Sequence, residues 1–331
     1  MKRTFRAGIL SATVFLLLVG LLWGYAVVRE RQAGGHTHET GSGYTEQTGN
    51  TTQETAGSCN DTTAAARPTP DLSLLSPYVF VYDTETDTIL FSQGQLRDRI
   101  RPASLTKLFS AYVALQYIDP ATVITAGEEV TWIDEGSSVA FIYRGQRVTV
   151  AQCVEGMLLQ SGNDAAYILA VAAGRAIRND PTLSAHAALG VFVGQMNDTA
   201  SQLGLTDTHF ANPDGIDMAG HYTSLRDLAQ ISRLAMETPL IRQYAATVTD
   251  SVTYVSGELI KWRNTNALLH PESEFYCAAA CGLKTGSTAG AGKCLISAFH
   301  KDGGYLIIGA LGSQQEDDRY IDALNLYRYY S

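Results

Sequence analysis

Cysteine is scarce in this chain: Cys59, Cys153, Cys277, Cys281 and Cys294 are the only five in 331 residues. That excludes the dense disulfide framework on which small exported domains rely. An excess of basic residues is also missing. Six basic and five acidic residues precede Asp71, and eighteen basic and twenty-eight acidic residues follow from there, leaving that part ten charges negative. Such a balance has no basic stripe for nucleic acid and is repelled by an anionic lipid surface. No internal repeat is present. Hydrophobic residues at 45% and charged residues at 17% exclude a disordered chain or a coiled coil and allow one substantial core.

What the amino terminus does have is an export signal. Lys2, Arg3 and Arg6 precede an uncharged apolar stretch from Ala7 to Val28, close to the roughly 20 residues that cross a bilayer. Residues 1–28 are therefore expected to be a signal-anchor that holds the chain to the membrane. The alternative is a signal peptide cut after the small residues Gly24 and Ala26. Basic residues before the span set its orientation, although Arg29 and Arg31 weaken the asymmetry. Either way the remainder is expected outside the cytoplasm. Residues 29–70 are rich in Thr, Ser, Gly, Gln and Glu, and end in Arg67-Pro68-Thr69-Pro70. They form a tether that cannot bury enough surface to fold. His36 and His38 within it read as solvated linker, not a metal site. Residues 71–331 are left as the catalytic domain.

Within that domain, Tyr78 to Tyr82 and Thr88 to Phe91 read as a hairpin. Helical patterns follow at Ser104 to Ile118, Val150 to Gln160, Asn163 to Ile177, Ala185 to Leu203 and Ser224 to Glu237. Strand-like segments return at Val248 to Val255, Cys281 to Thr285, Cys294 to Phe299 and Tyr305 to Leu311, before an amphipathic helix from about Asp317 to Tyr330. Strands at both ends around a helical middle predict an α+β fold: one antiparallel sheet from N- and C-terminal strands, covered by helices.

Three short motifs carry chemistry. Ser104-Leu105-Thr106-Lys107 puts a hydroxyl and an amine on one face of a helix start, and it is the only Ser-x-x-Lys in the chain. A serine attacks only when a neighbour takes its proton, and a lysine can do so only if burial or nearby positive charge lowers its pKa. The helix N-terminus and Lys284 are candidate sources of that charge. Ser161-Gly162-Asn163 offers a second hydroxyl and an amide. Alone it is weak, since Ser58-Cys59-Asn60 in the tether has the same pattern. Lys284-Thr285-Gly286 supplies a cation, a hydroxyl and a glycine that permits close approach. The ordered set is specific, with Ser161 57 residues after Ser104 and Lys284 123 residues after Ser161.

With these motifs the sequence resembles the penicillin-binding and β-lactamase superfamily, and within it the low-molecular-mass D-alanyl-D-alanine carboxypeptidases. Arg101-Pro102-Ala103-Ser104-Leu105-Thr106-Lys107, Gln160-Ser161-Gly162-Asn163-Asp164-Ala165-Ala166 and Gly282-Leu283-Lys284-Thr285-Gly286 carry the likeness. So do Phe210-Ala211-Asn212-Pro213-Asp214-Gly215, His221-Tyr222-Thr223-Ser224 and Asp227, which look like scaffold around the cleft. The resemblance implies a penicillin-sensitive enzyme that removes the terminal D-alanine from peptidoglycan pentapeptides, with β-lactams as covalent inhibitors. It implies Ser104 as nucleophile, Lys107 as base, and Ser161 and Lys284 as a relay to the leaving amine. The N–H groups of Ser104 and Ser287 would form the oxyanion hole, Gly286 the close approach, and Asn163 the hold on the acyl chain. Thr285, with Arg319, would take the terminal carboxylate. No cofactor or metal is required by that chemistry.

The sequence also departs from the family. Cys281 and Cys294 flank the third motif, so a disulfide among Cys277, Cys281 and Cys294, or less readily a structural zinc site, is open. Many relatives continue into a small β-domain and an amphipathic membrane helix where this sequence stops at Ser331, and the N-terminal span is expected to replace that anchor. Rival readings are a penicillin-binding sensor, and an endopeptidase or transpeptidase that differs only in leaving amine or acyl acceptor. A β-lactamase is disfavoured, because no glutamate occurs between Asp164 and Glu237 to activate the deacylating water.

Overall fold

The computed structural model describes residues 72–331. The expected N-terminal span and most of the tether lie outside the described residues. Among the described residues no helix is long and apolar enough to cross a membrane.

The chain enters through a hairpin, β1 Tyr78–Asp83 and β2 Thr88–Gln93. It then passes through α1 Thr106–Ala114, the short strands β3 Val123–Thr125 and β4 Arg147–Thr149, and the helices α2 Val150–Leu159, α3 Asn163–Arg178, α4 Ala185–Gln202, α5 Leu225–Glu237 and α6 Pro239–Ala246. A ribbon, β5 Thr249–Thr253 and β6 Leu259–Arg263, leads to β7 Ala280–Thr288, β8 Gly292–Lys301, β9 Gly304–Ser313 and the terminal helix α7 Asp318–Tyr330. Five strands form one antiparallel sheet in the order β2-β1-β9-β8-β7. The N-terminal hairpin thus joins the C-terminal meander through β1 and β9, with Tyr78 opposite Leu311. Strands from both ends of the domain do build one sheet around a helical middle.

Both faces of this sheet are covered, which explains why its strands read as continuous apolar runs. Side chains alternate between two cores. Phe80, Tyr82, Ile296, Ala298 and Ile307 face the helical block. Val79, Val81, Leu295, Phe299, Leu306 and Ile308 face the other way. There they meet Tyr320, Ala323, Leu326 and Tyr330, spaced three and four apart along one side of α7.

Three expectations are corrected. The helix over Ser104 to Ile118 is a 3₁₀ turn at Ala103–Leu105 continued by α1, which ends at Ala114. The segment Val248 to Val255 stands apart from the main sheet as β5, paired only with β6. Of β5 only Val252 is buried, so it could not occupy a strand position covered on both sides. No disulfide links the C-terminal cysteines, since Cys277, Cys281 and Cys294 are free thiols. Cys294 lies opposite Gly286 in the β7–β8 pairing, five residues along β7 from Cys281. At ~3.3 Å per residue that separation is far beyond the reach of a disulfide. The Cys281 and Cys294 thiols turn instead to the Ala298 and Ala291 carbonyls.

Candidate active site

The first motif is set at the entry to α1. Ala103 has a positive φ of 49°, a left-handed conformation that costs an alanine free energy and is held only by its surroundings. Ser104 follows in the 3₁₀ turn and Lys107 in the first turn of α1, bringing Lys107 Nζ to 2.9 Å from Ser104 Oγ. Lys107 is fully buried and also meets Asn163 Oδ1 at 2.7 Å and the Asp214 carbonyl at 2.8 Å. As a neutral amine it has two N–H donors and one lone pair. The two carbonyl oxygens use the donors, and the lone pair is left for the hydroxyl proton of Ser104. Burial drives the Lys107 pKa down to about 8, against the pull of the Asp214 and Asp164 carboxylates. Desolvation, rather than a neighbouring cation, is the cause.

Asn163 is the first residue of α3. Ser161, two residues earlier, is buried and has a left-handed φ of 58°. Glycine is required between them, because a Cβ on Gly162 would fall 2.7 Å from Ala140. The buried Asp164 carboxylate accepts from the N–H groups of Ala140, Ile142 and Ala165. The Asn163 N–H donates to the Ser138 carbonyl. Together these pin the loop before β4 against the second motif.

The third motif lies on β7. Lys284 is buried and donates to the Thr285 carbonyl at 2.9 Å. Its pKa falls well below the usual lysine range, first through burial and then through Lys107 and Arg319. The Thr285 and Thr265 hydroxyls share a hydrogen bond of 2.6 Å. Gly286 permits contact with the first motif: a Cβ there would lie 3.0 Å from both the Ser104 N and the Ala103 Cβ. Ser287 is exposed beyond it.

Arg319 differs from the expectation. Its guanidinium is buried and donates to the Gly286 carbonyl at 3.1 Å and the Cys294 carbonyl at 2.9 Å, beside Glu316 and the Tyr320 hydroxyl. It braces β7 and β8 and does not line the cleft. That cleft, of about 530 Å³, is lined by Ser104, Asn163, Ser287, Thr288 and Ala289, with Asp134, Glu135 and Asp217 on its walls.

Two contributions escaped sequence reasoning. Asp217 accepts from Thr288 Oγ1 at 2.9 Å and the Gly290 N–H at 2.7 Å, tying the β7–β8 turn to the loop after Asp214. His221, read only as scaffold, is buried with its Nδ1 accepting from the Ala211 N–H at 3.0 Å. Its proton therefore sits on Nε2. Nε2 donates to Thr106 Oγ1 at 2.9 Å, and that hydroxyl donates to the Ala103 carbonyl at 2.9 Å. The chain ends on the strained residue before Ser104. Gly215 makes room for it, since a Cβ there would fall 1.8 Å from that same carbonyl. The stretch from Asn212 to Gly215 was the available signal, but nothing in it names its partner.

A family model described as D-alanyl-D-alanine carboxypeptidase matches residues 62–315. A D-alanyl-D-alanine carboxypeptidase of Streptomyces sp. (strain K15) is 31% identical over 281 residues, 81% of this chain and 90% of that protein. DacD of Escherichia coli (strain K12), of the same description, is 33% identical over 260 residues, 75% of this chain but 61% of that protein. The chain thus spans less than two thirds of the latter. The crystal structure of the Streptomyces K15 DD-transpeptidase matches with a TM-score of 0.71 at 29% identity, covering 79% of this chain and 98% of that one.

Proposed function

The chain belongs to the D-alanyl-D-alanine carboxypeptidase family, and from that premise we propose that it is a serine-type peptidase that hydrolyses the terminal D-alanine from peptidoglycan stem peptides. Lys107 at 2.9 Å from Ser104, buried and pulled down to about 8, carries the reading. With a pKa near 8, about a tenth of the amine is neutral at pH 7, against well under a thousandth for an ordinary lysine. Ser104 Oγ attacks the carbonyl of the penultimate D-alanine while Lys107 takes its proton. The oxyanion is held by the N–H groups of Ser104 and Ser287. Ser161 and Lys284 return the proton to the leaving amine, and D-alanine departs from an ester on Ser104 that water then cleaves. Asn163 holds Lys107 and orients the acyl chain. Thr285 takes the terminal carboxylate, and Arg319 acts through the strand that carries Thr285 and Gly286. The ring of a β-lactam occupies the same position and leaves a stable ester.

The name DD-transpeptidase for a structural relative favours a second reading, in which an amine replaces water as acyl acceptor. In this proposal residues 1–28 anchor the enzyme on the outer side of the cytoplasmic membrane, residues 29–70 are the tether, and residues 71–331 work on the wall. The test is release of D-alanine from diacyl-L-Lys-D-Ala-D-Ala by the full chain and by Ser104→Ala, with labelled penicillin in parallel. Release and labelling by the parent alone are expected. Equal release by both proteins would refute the role of Ser104.

A further inference from the structure

If Thr285 takes the terminal carboxylate and Gly286 faces Ser104, the acyl chain leaves the cleft on the opposite side, past Ser287, Thr288 and Ala289. Those three residues also line a second hollow of about 690 Å³, larger than the cleft itself. Its walls are the start of β1, the end of β9 and the β7–β8 turn, and Arg99, Arg101 and Lys293 are among the residues that line it. No aspartate or glutamate lines it. In a domain ten charges negative, this is a local reversal of sign next to the reacting bond.

The three cations are available to a ligand. Arg99 stacks over the Tyr222 ring at 4.3 Å and has no carboxylate partner among the described residues. Arg101 meets Asp217 at 3.5 Å, and Lys293 meets Glu316 at 3.1 Å, in pairs whose cationic side chains are 55% and 34% exposed. Such exposed pairs are weak and readily exchange partners. Gly290 keeps the turn flat against Arg101, since a Cβ there would fall 1.5 Å from the guanidinium.

We propose that this cationic hollow is the subsite for the acidic part of the stem peptide, and that it selects a free carboxylate on the residue two before the acyl D-alanine. In a stem peptide that residue is a D-glutamate joined through its side chain, and its α-carboxyl is either free or amidated. The inference rests on the carboxypeptidase reading and deepens it by naming the substrate form.

The experiment compares kcat/KM of the full chain on L-Ala-γ-D-Glu-L-Lys-D-Ala-D-Ala and on the same peptide with the D-glutamate α-carboxyl amidated. A preference of about tenfold for the acid is expected. It should fall toward unity in Arg99→Gln/Lys293→Gln and reverse in Lys293→Glu. The ratio is taken within one preparation, so a partly unfolded variant does not distort it. Equal rates on the two peptides in the parent, or a preference that survives the double substitution, would overturn the proposal. Diacyl-L-Lys-D-Ala-D-Ala, which has no glutamate, separates the two readings: release from it with no acid preference refutes the subsite alone, and no release from any of the three refutes the carboxypeptidase reading.

Discussion

On one side of Ser104, Lys107, Asn163, Lys284 and Thr285 are no more than 5% exposed, and the Lys107 amine meets Ser104, Asn163 and the Asp214 carbonyl. On the other side Ser287, Arg99 and Arg101 face water, and their neighbours are held by loosely spaced ion pairs. The difference is one of dielectric. In the buried half a charge is expensive, and burial lowers the pKa of both Lys107 and Lys284. In the open half a charge costs little, so the residues keep their charges and are free to meet a ligand. On the proposed reading, chemistry belongs to the first half and selection among substrates to the second.

The largest effect is expected from removing the buried base. Lys107→Met keeps the volume and takes away the lone pair, and acylation by labelled penicillin should slow by about a thousandfold or more. Lys107→Arg should be no better, because a guanidinium does not deprotonate. Acylation within tenfold of the parent in either variant would assign the base elsewhere.

Next is the stability of the buried half itself. Burial, and then the neighbouring His209, pull the His221 pKa down to about 4. The unfolded histidine binds its proton near pH 6.5 and the folded one resists until about 4. Stability therefore declines as pH falls through that window, by up to roughly 3 kcal/mol. Denaturant titrations should show His221→Gln losing less stability than the parent between pH 6.5 and 4. Parallel losses would mean that His221 is not the group responsible.

The smallest effect tests how far the buried half reaches. Thr106→Val breaks the chain from His221 to the Ala103 carbonyl without changing shape. It should lower the acylation rate about tenfold, roughly 1.4 kcal/mol, at little change in KM. Thr106→Ser should restore it. A loss that Ser does not repair would make the threonine a packing residue only.

The same division decides what could be seen in the sequence. The approach of Lys107 to Ser104 and Asn163 was legible, because acyl transfer restricts both residue type and spacing. The sheet was legible because strands covered on both faces are apolar throughout. The role of Arg319 was not, since an arginine at a helix start reads the same whether it reaches a ligand or the Gly286 and Cys294 carbonyls. Nor were α6 and β6, where short or exposed segments carry little periodicity. The cationic hollow was hidden for a different reason: Arg99, Arg101 and Lys293 converge only once β1, β9 and the β7–β8 turn are assembled.

In the proposed mechanism burial, not a neighbouring cation, makes Lys107 a base, and the pH dependence of Ser104 acylation measures that directly. The second-order rate of labelled-penicillin acylation should rise tenfold per pH unit and level off above about pH 8, where Lys107 has lost its proton. A rate that keeps climbing toward pH 10, as an ordinary lysine dictates, or one independent of pH from 6 to 9, would contradict it.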